Sequence, residues 1–276
     1  MITSTKNDQV KAVIELKKKA RARNEQGLFV VEGVRMAAEL PKDQVKSIYV
    51  SETFAKNPEN AAILAEYPGY ELVSDSVFAV MSDTQTPQGV LALVRQFSYG
   101  MDELLKSDRP AHLMVLENLQ DPGNLGTILR AGEGAGITGL IMSRDTVDIY
   151  NPKVIRSTMG SVFRVPFFYT DDLEQTVLDL KARGIRVFAA HLAGKNNYEQ
   201  EDYTGNTAFL IGNEGNGLSD EIADLADTYI KIPMCGQVES LNAAISASLL
   251  MYETNRQRRI RSMSQDRMSN IRKVEE

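Results

Sequence analysis

One alternation in the second half of the chain narrows its possible folds more than any other feature. Short apolar runs at residues 113–116, 140–142, 187–190, 208–211 and 229–232 are separated by helical patterns, notably at 125–135, 173–182 and 241–252. Apolar runs without polar alternation belong to strands covered on both faces, and strand-helix-strand succession brings parallel strands together. The expected architecture is α/β, with a mostly parallel sheet packed between helices. Ligands in such sheets bind beyond the carboxyl ends of the strands. The glycine- and asparagine-rich segments of this chain fall at those ends.

The first hundred residues form a smaller unit of the same class. An amphipathic helix through Val10, Val13, Ile14 and Lys17 precedes strand patterns at 28–31, 45–50, 70–73 and 89–94. Residues 98–110 contain no sustained apolar strand and end in proline, which reads as a linker. The expected domains are therefore 1–97, a linker at 98–110, a larger domain at 111–257 and a basic tail at 258–276.

Composition excludes several classes. With 43% hydrophobic and 25% charged residues the chain has material for a core, and no apolar run reaches membrane-spanning length. The N-terminus lacks the apolar stretch of a signal peptide. Cys235 is the one cysteine, so no internal disulfide forms, and with only His112 and His191 a histidine-built metal site is not expected. A cytoplasmic, metal-free protein follows. The net charge is −6, but basic residues gather at the ends. Residues 6–23 carry seven Lys/Arg against two acids, and residues 256–276 carry seven against three. Basic ends on an acidic body suit a phosphate backbone, but on charge alone a solvated helix face and a disordered tail are the favoured reading. The tail is expected to be disordered in the free protein.

Three blocks carry candidate chemistry. The first spans residues 117–130, where a strand gives way to a turn of Asp121, Pro122, Gly123 and Asn124 and then to a helix. Asp121 or Asn124 can cap that helix. Capping leaves Arg130 unexplained, at the edge of the stripe formed by Leu125, Ile128 and Leu129. Gly126, Gly132 and Gly134 weaken the helix and suggest close approach by another segment or a ligand. The literal GxGxxG beginning at Gly134 is not a dinucleotide fingerprint, because it closes a helix and precedes a strand. Its glycines suit a helix C-cap and turn.

The second block runs a buried strand into Gly212, Asn213, Glu214, Gly215, Asn216 and Gly217, a loop with a carboxylate at its tip. The third passes from Ile232 and Met234 through Ser240, Leu241 and Asn242 into an Ala/Ser-rich helix. Ser240 reads as the helix cap, which leaves Asn242 without a structural task. Cys235 has no neighbouring base in sequence and reads as inert packing.

Together the three blocks resemble the signature motifs of the SpoU (TrmH-like) branch of the SPOUT methyltransferases. Residues 112–255 resemble that family's catalytic domain, and residues 1–97 its frequent RNA-binding partner, similar in kind to ribosomal-protein folds. The resemblance implies a deep trefoil knot at the carboxyl end of the sheet, a homodimer, and S-adenosylmethionine as cofactor. Gly212, Ile232 and Leu241 would contact the cofactor, with Asn213, Gly217 and Met234 in the same loops and His191, Leu192 and Gly194 bordering the pocket. Asn124, Arg130, Glu214, Ser240 and Asn242 would form the catalytic and substrate-orienting set. The implied reaction is methylation of a ribose 2′-hydroxyl in structured RNA, ribosomal rather than transfer RNA, without membrane or metal. A transfer-RNA enzyme and a non-catalytic RNA-binding or assembly protein of the same fold are the alternatives. Family members commonly finish soon after the third-block helix, whereas this chain continues to Glu276.

Overall fold

The computed structural model describes residues 1–272, with side chains through Ser264. The chain forms two compact units, Met1–Phe97 with Asp148–Phe163, and Ser98–Val147 with the remainder from Arg164.

In the first unit the helices are α1 (Asp8–Lys18), α2 (Ala20–Gln26), α3 (Val34–Ala37), α4 (Glu52–Lys56), α5 (Ala61–Glu66) and α6 (Asp75–Met81). The strands are β1 (Leu28–Glu32), β2 (Val45–Ser51), β3 (Glu71–Val73) and β4 (Val90–Arg95), in the order β1-β4-β2-β3. β4 pairs antiparallel with both neighbours, and β2 pairs parallel with β3. Val10, Val13 and Leu16 of α1 pack on Leu28, Val30, Leu91 and Leu93 of the sheet. The sequence patterns locate all four strands to within one or two residues.

The second unit contains α7 (Met101–Leu105), β5 (His112–Leu116), α8 (Pro122–Ala135), β6 (Gly139–Ser143), and, after α9 (Pro152–Thr158) of the first unit, β7 (Phe167–Thr170) and α10 (Leu173–Ala182). It continues with β8 (Arg186–Ala190), β9 (Asn196–Asn197), β10 (Thr207–Ile211), α11 (Asp220–Ala223), β11 (Thr228–Lys231) and α12 (Ala243–Arg272). The sheet order is β7-β6-β5-β10-β8-β11-β9, and every pairing is parallel. Alternate residues face opposite ways along a strand. Leu113, Val115, Val187, Ala189, Ala208 and Leu210 pack with Leu173, Val177 and Leu180 of α10. Their neighbours Met114, Leu116, Phe188 and Phe209 are equally buried on the other face. α12 packs against α8 and reaches β5 and β10.

Two of the α8 glycines find their reason here. A Cβ at Gly132 would meet the Ile137 side chain at 2.4 Å and Met251 Sδ at 3.3 Å, and one at Gly134 would meet the Tyr252 hydroxyl at 2.8 Å. The close approach comes from Ile137 and α12. Gly136, with φ of 79°, ends α8 in the left-handed conformation, so the GxGxxG serves as cap and turn.

The observed boundaries differ from the expected ones. Residues 98–110 include α7, whose Leu104 is fully buried and packs so closely on β6 that a Cβ at Gly139 would meet its Cγ at 2.2 Å. Asp148–Phe163 packs with the first unit because Arg23, 3% exposed, donates to Asp148 Oδ2 at 2.8 Å from Nε and 2.5 Å from Nη2. In the same segment the Tyr150 ring packs 4.6 Å from that of Phe29.

The expected disorder of the tail is corrected as far as Arg272, and residues 273–276 lie outside the described residues. α12 continues because Arg258 donates to the carbonyls of Tyr203, Pro110, Ala111 and Gly205, and Gln257 accepts from the Tyr203 amide at 2.8 Å. β7 and β9 are strands that the sequence patterns did not show.

Two stability measurements follow. Leu104→Ala should cost about 3 kcal/mol in denaturant unfolding, the order expected for a fully buried leucine; a loss near zero would make 98–110 a passive linker. His112 is 1% exposed and its Nε2 has no hydrogen-bond partner among the described residues. Burial, reinforced by Arg258 and Arg109, pushes its pKa down to about 3. The imidazole therefore stays neutral when folded and gains a proton on unfolding below about pH 6.5. Stability should fall as pH drops from 6.5 toward 4.5, by up to about 1.4 kcal/mol per pH unit, and His112→Phe should flatten that slope.

Candidate active site

The carboxyl ends of β5, β8, β10 and β11 lie along one edge of the parallel sheet, and the loops leaving them meet there. Gly212 follows β10. A Cβ at this position would lie 2.1 Å from both Gly217 C and Leu218 N, so only glycine lets the loop fold back on itself. Asn213 and Gly217 close that loop with reciprocal backbone hydrogen bonds of 2.9 Å. Gly194 has the same role after β8. Its Cβ would lie 2.7 Å from Ile230 C and 2.8 Å from Lys231 N, and the His191 amide donates to Ile230 O at 2.9 Å.

These loops enclose a cleft of about 360 Å³. His191, Leu192, Gly212, Asn213, Gly217, Ile232, Met234 and Leu241 line it, as do Glu214 and Ser240. Of the expected cofactor residues, Gly194 alone is not on the wall; it sets the spacing of the segments that are. Sequence reasoning passed over Ala190, Ile211, Ala243 and Ser246, small or apolar wall residues without a chemical signal of their own.

A directional hydrogen-bond chain runs beside the cleft. Asp121 caps α8, its Oδ1 accepting from the Asn124 amide at 2.9 Å, which frees the Asn124 side chain. Asn124 is 9% exposed. Its Nδ2 donates to Glu214 Oε1 at 2.9 Å, and its Oδ1 accepts from Asn242 Nδ2 at 2.9 Å. Asn242 Oδ1 accepts from the amides of Ala244 at 2.9 Å and Ile245 at 3.3 Å. Each end dictates the orientation of what lies between. An ionised carboxylate only accepts, so Asn124 must present its amide nitrogen to Glu214. Helix-terminal N–H groups only donate, so Asn242 must present its oxygen to α12 and its nitrogen to Asn124.

Asn242 is therefore the cap of α12, and the reading of Ser240 as cap is corrected. Helix geometry begins at Ala243, directly after Asn242, and Ser240 lies outside it, exposed at the cleft. Cys235 is likewise exposed rather than packed.

Glu214 anchors the chain's acidic end. Gln120 N–H donates to its Oε2 at 3.0 Å, and Asp121 N–H to its Oε1 at 2.9 Å. Partial burial pushes its pKa up, but the hydrogen bonds from Gln120, Asn124 and Asp121 outweigh burial and hold it below the ordinary 4.5. Asn213 adds a parallel fastening, donating from Nδ2 to Asn118 O at 2.7 Å. Asn118 is in the left-handed region, with φ of 50°, and its amide donates to Ser143 Oγ at 2.8 Å.

Arg130 stands apart. Six residues beyond Asn124 along α8 place it about 9 Å further down the helix axis. It is exposed and makes no hydrogen bond or ion pair among the described residues. Among those residues no His, Cys, Asp and Glu are grouped to hold a metal ion, and no helix is long and apolar enough to cross a membrane.

Glu214→Gln replaces an acceptor with a donor facing backbone N–H groups. Because the folded pKa is lowered, the ionised carboxylate stabilises above about pH 4.5, and that contribution disappears as pH falls through the folded value. The variant should be less stable than wild type by about 1 kcal/mol near neutrality, allowing for solvent screening of an exposed group. That gap should close in acid, as read from paired denaturant titrations; a pH-independent gap would contradict the arrangement.

Comparison with known proteins agrees with this geometry. Residues 111–252 match the SpoU rRNA Methylase family, and residues 7–92 match the MRM3-like substrate binding domain. The chain is 35% identical to an uncharacterized tRNA/rRNA methyltransferase of Synechocystis sp., over 93% of each chain. It is 30% identical to the 23S rRNA (guanosine(2553)-2'-O)-methyltransferase RlmP of Bacillus subtilis, covering 91% of this chain and 97% of that one. Among solved structures, the AdoMet-bound rRNA methyltransferase from Sinorhizobium meliloti superposes with a TM-score of 0.81 at 29% identity, covering 92% of this chain and 97% of that one. The chain belongs to the SpoU rRNA methylase family.

Proposed function

We propose that this protein transfers a methyl group from S-adenosylmethionine to a ribose 2′-hydroxyl of ribosomal RNA in the cytoplasm. The observation that carries the reading is the meeting, at one sheet edge, of a cleft walled by backbone-rich loops with the Glu214–Asn124–Asn242 chain. A volume of about 360 Å³ lies within the roughly 300–1,000 Å³ of small-molecule sites. Gly212 and Gly194 permit the close backbone spacing that such a cleft needs. The cofactor, when bound, supplies a methyl group already activated by its sulfonium.

The chain's own residues would then orient the hydroxyl and offset its developing charge. Glu214 is a poor base, because its pKa is lowered and its oxygens are engaged by three donors. Its task is to hold the Asn124 amide in one orientation, with Asn242 behind it. Arginine is a permanent cation, so Arg130 serves as an electrostatic partner for a neighbouring RNA phosphate and the forming alkoxide rather than as a proton acceptor. It is exposed and has no partner among the described residues, which leaves the guanidinium available for that role. Ser240, exposed at the cleft, is a further substrate-orienting group.

Residues 1–97 are the RNA-binding domain, supported by the match to a substrate binding domain. RlmP supports ribosomal over transfer RNA, while the Synechocystis relative's name covers both. The knot is supported by the tight passage of the 191–194 segment against Ile230 and Lys231 of later chain. A second copy of the chain would cover Ile245, Leu249 and Tyr252, exposed along one face of α12.

Isothermal titration should give one S-adenosylmethionine site per chain. The wild-type protein should methylate riboses in ribosomal RNA from a strain lacking the gene. Arg130→Ala should lower turnover on that RNA by about 10²–10³ while cofactor affinity changes by less than about twofold. No cofactor binding, or an Arg130→Ala enzyme with full turnover, would overturn the reading.

A further inference from the structure

Glu117 is the last residue before the catalytic-block turn, and both feet of the glycine loop rest on it. Its N–H donates to Ile211 O at 2.9 Å, extending the β5–β10 ladder by one rung at the point where the loop leaves the sheet. Its carboxylate accepts from the Ser219 amide at 2.8 Å and the Ser219 hydroxyl at 2.6 Å, at the point where the loop returns. Ser219 in turn caps α11, its Oγ accepting from Ile222 N at 3.3 Å. Glu117 is only 9% exposed, and burying a carboxylate is costly unless its oxygens are hydrogen-bonded; here Ser219 supplies a donor to each.

We infer that Glu117 is a positioning residue for the cofactor cleft, setting the span of the 212–218 loop by clamping Ile211 and Ser219 together. This rests on the reading of the cleft as the S-adenosylmethionine site. A loop containing Gly212, Gly215 and Gly217 loses more conformational entropy on ordering than one of other residues. Clamped feet incur that loss during folding rather than on binding, which is preorganisation. The clamp is separate from the fastening of the loop's interior, where Asn213 and Glu214 hold the 118–124 segment. Removing it should loosen the wall facing the cofactor and leave the Glu214–Asn124–Asn242 chain tied.

The test is isothermal titration of S-adenosylmethionine into wild type, Glu117→Ala, Glu117→Gln, Ser219→Ala and the Glu117→Ala/Ser219→Ala pair, with steady-state methylation alongside. Glu117→Ala should raise the cofactor Kd about tenfold and Ser219→Ala about threefold, and the pair should match Glu117→Ala alone because both changes break one clamp. Glu117→Gln keeps the length and one acceptor and should recover most of the affinity. The deficit should appear in KM for S-adenosylmethionine more than in kcat. A residue that merely supported the fold would lower Tm or binding stoichiometry and leave Kd unchanged. An unchanged Kd in Glu117→Ala, or additive losses in the pair, would overturn the inference. Should Glu117→Ala not fold, an unchanged Kd in Ser219→Ala would overturn it as well. A wild-type protein that bound no S-adenosylmethionine would remove the site itself, an outcome distinct from failure of the clamp.

Discussion

The site depends on the Glu214 carboxylate, which gathers the backbone N–H groups of Gln120 and Asp121 and the side-chain amide of Asn124. These donors come from a segment some ninety residues earlier in the chain, brought close because β5 and β10 are adjacent and parallel. An acceptor at one end and the N-terminus of α12 at the other leave the two asparagines between them one consistent orientation. A polar chain with both ends specified resists rearrangement, because turning either amide would strand a donor against a donor. Polar side chains held in this way need little reorganisation when a ligand arrives.

The cleft beside this chain is a consequence of backbone spacing. Parallel strands deliver their loops to one edge, but an ordinary loop would fill that edge with side chains. Gly212 and Gly194 remove the Cβ atoms that would collide with neighbouring backbone, so the segment after β8 passes close to Ile230 and Lys231, the loop after β10 folds back on itself, and a walled space is left. Glu117 adds the fastening that keeps the 212–218 loop from widening. The same small-residue logic brings α12 onto α8 at Gly132 and Gly134.

Much of this was legible in the sequence, for physical reasons. Buried parallel strands show as apolar runs, and Gly212, Glu214, Asn124 and Asn242 were picked out together by the three blocks that resemble the family's motifs. The illegible parts involve partners distant in sequence. Nothing near Glu117 names Ser219 as its donor, and nothing near Arg258 names the carbonyls that hold the end of α12. α7 escaped notice because one turn centred on Leu104 has no periodicity to detect, yet Gly139 is shaped around that side chain. Capping was misassigned between Ser240 and Asn242 because both residue types cap well and only the backbone decides where the helix begins. Asp148–Phe163 reads as part of the larger domain until the buried Arg23–Asp148 pair is seen.

The most direct measurement of the central claim is a crystal structure of the full-length protein with S-adenosylhomocysteine. The ligand should lie against the 190–194, 211–218 and 230–241 segments, with Glu214 still accepting from Gln120, Asp121 and Asn124, and with the Asn124 oxygen toward Asn242. Ligand bound elsewhere, or an Asn124 amide turned away from Glu214 in the complex, would contradict it.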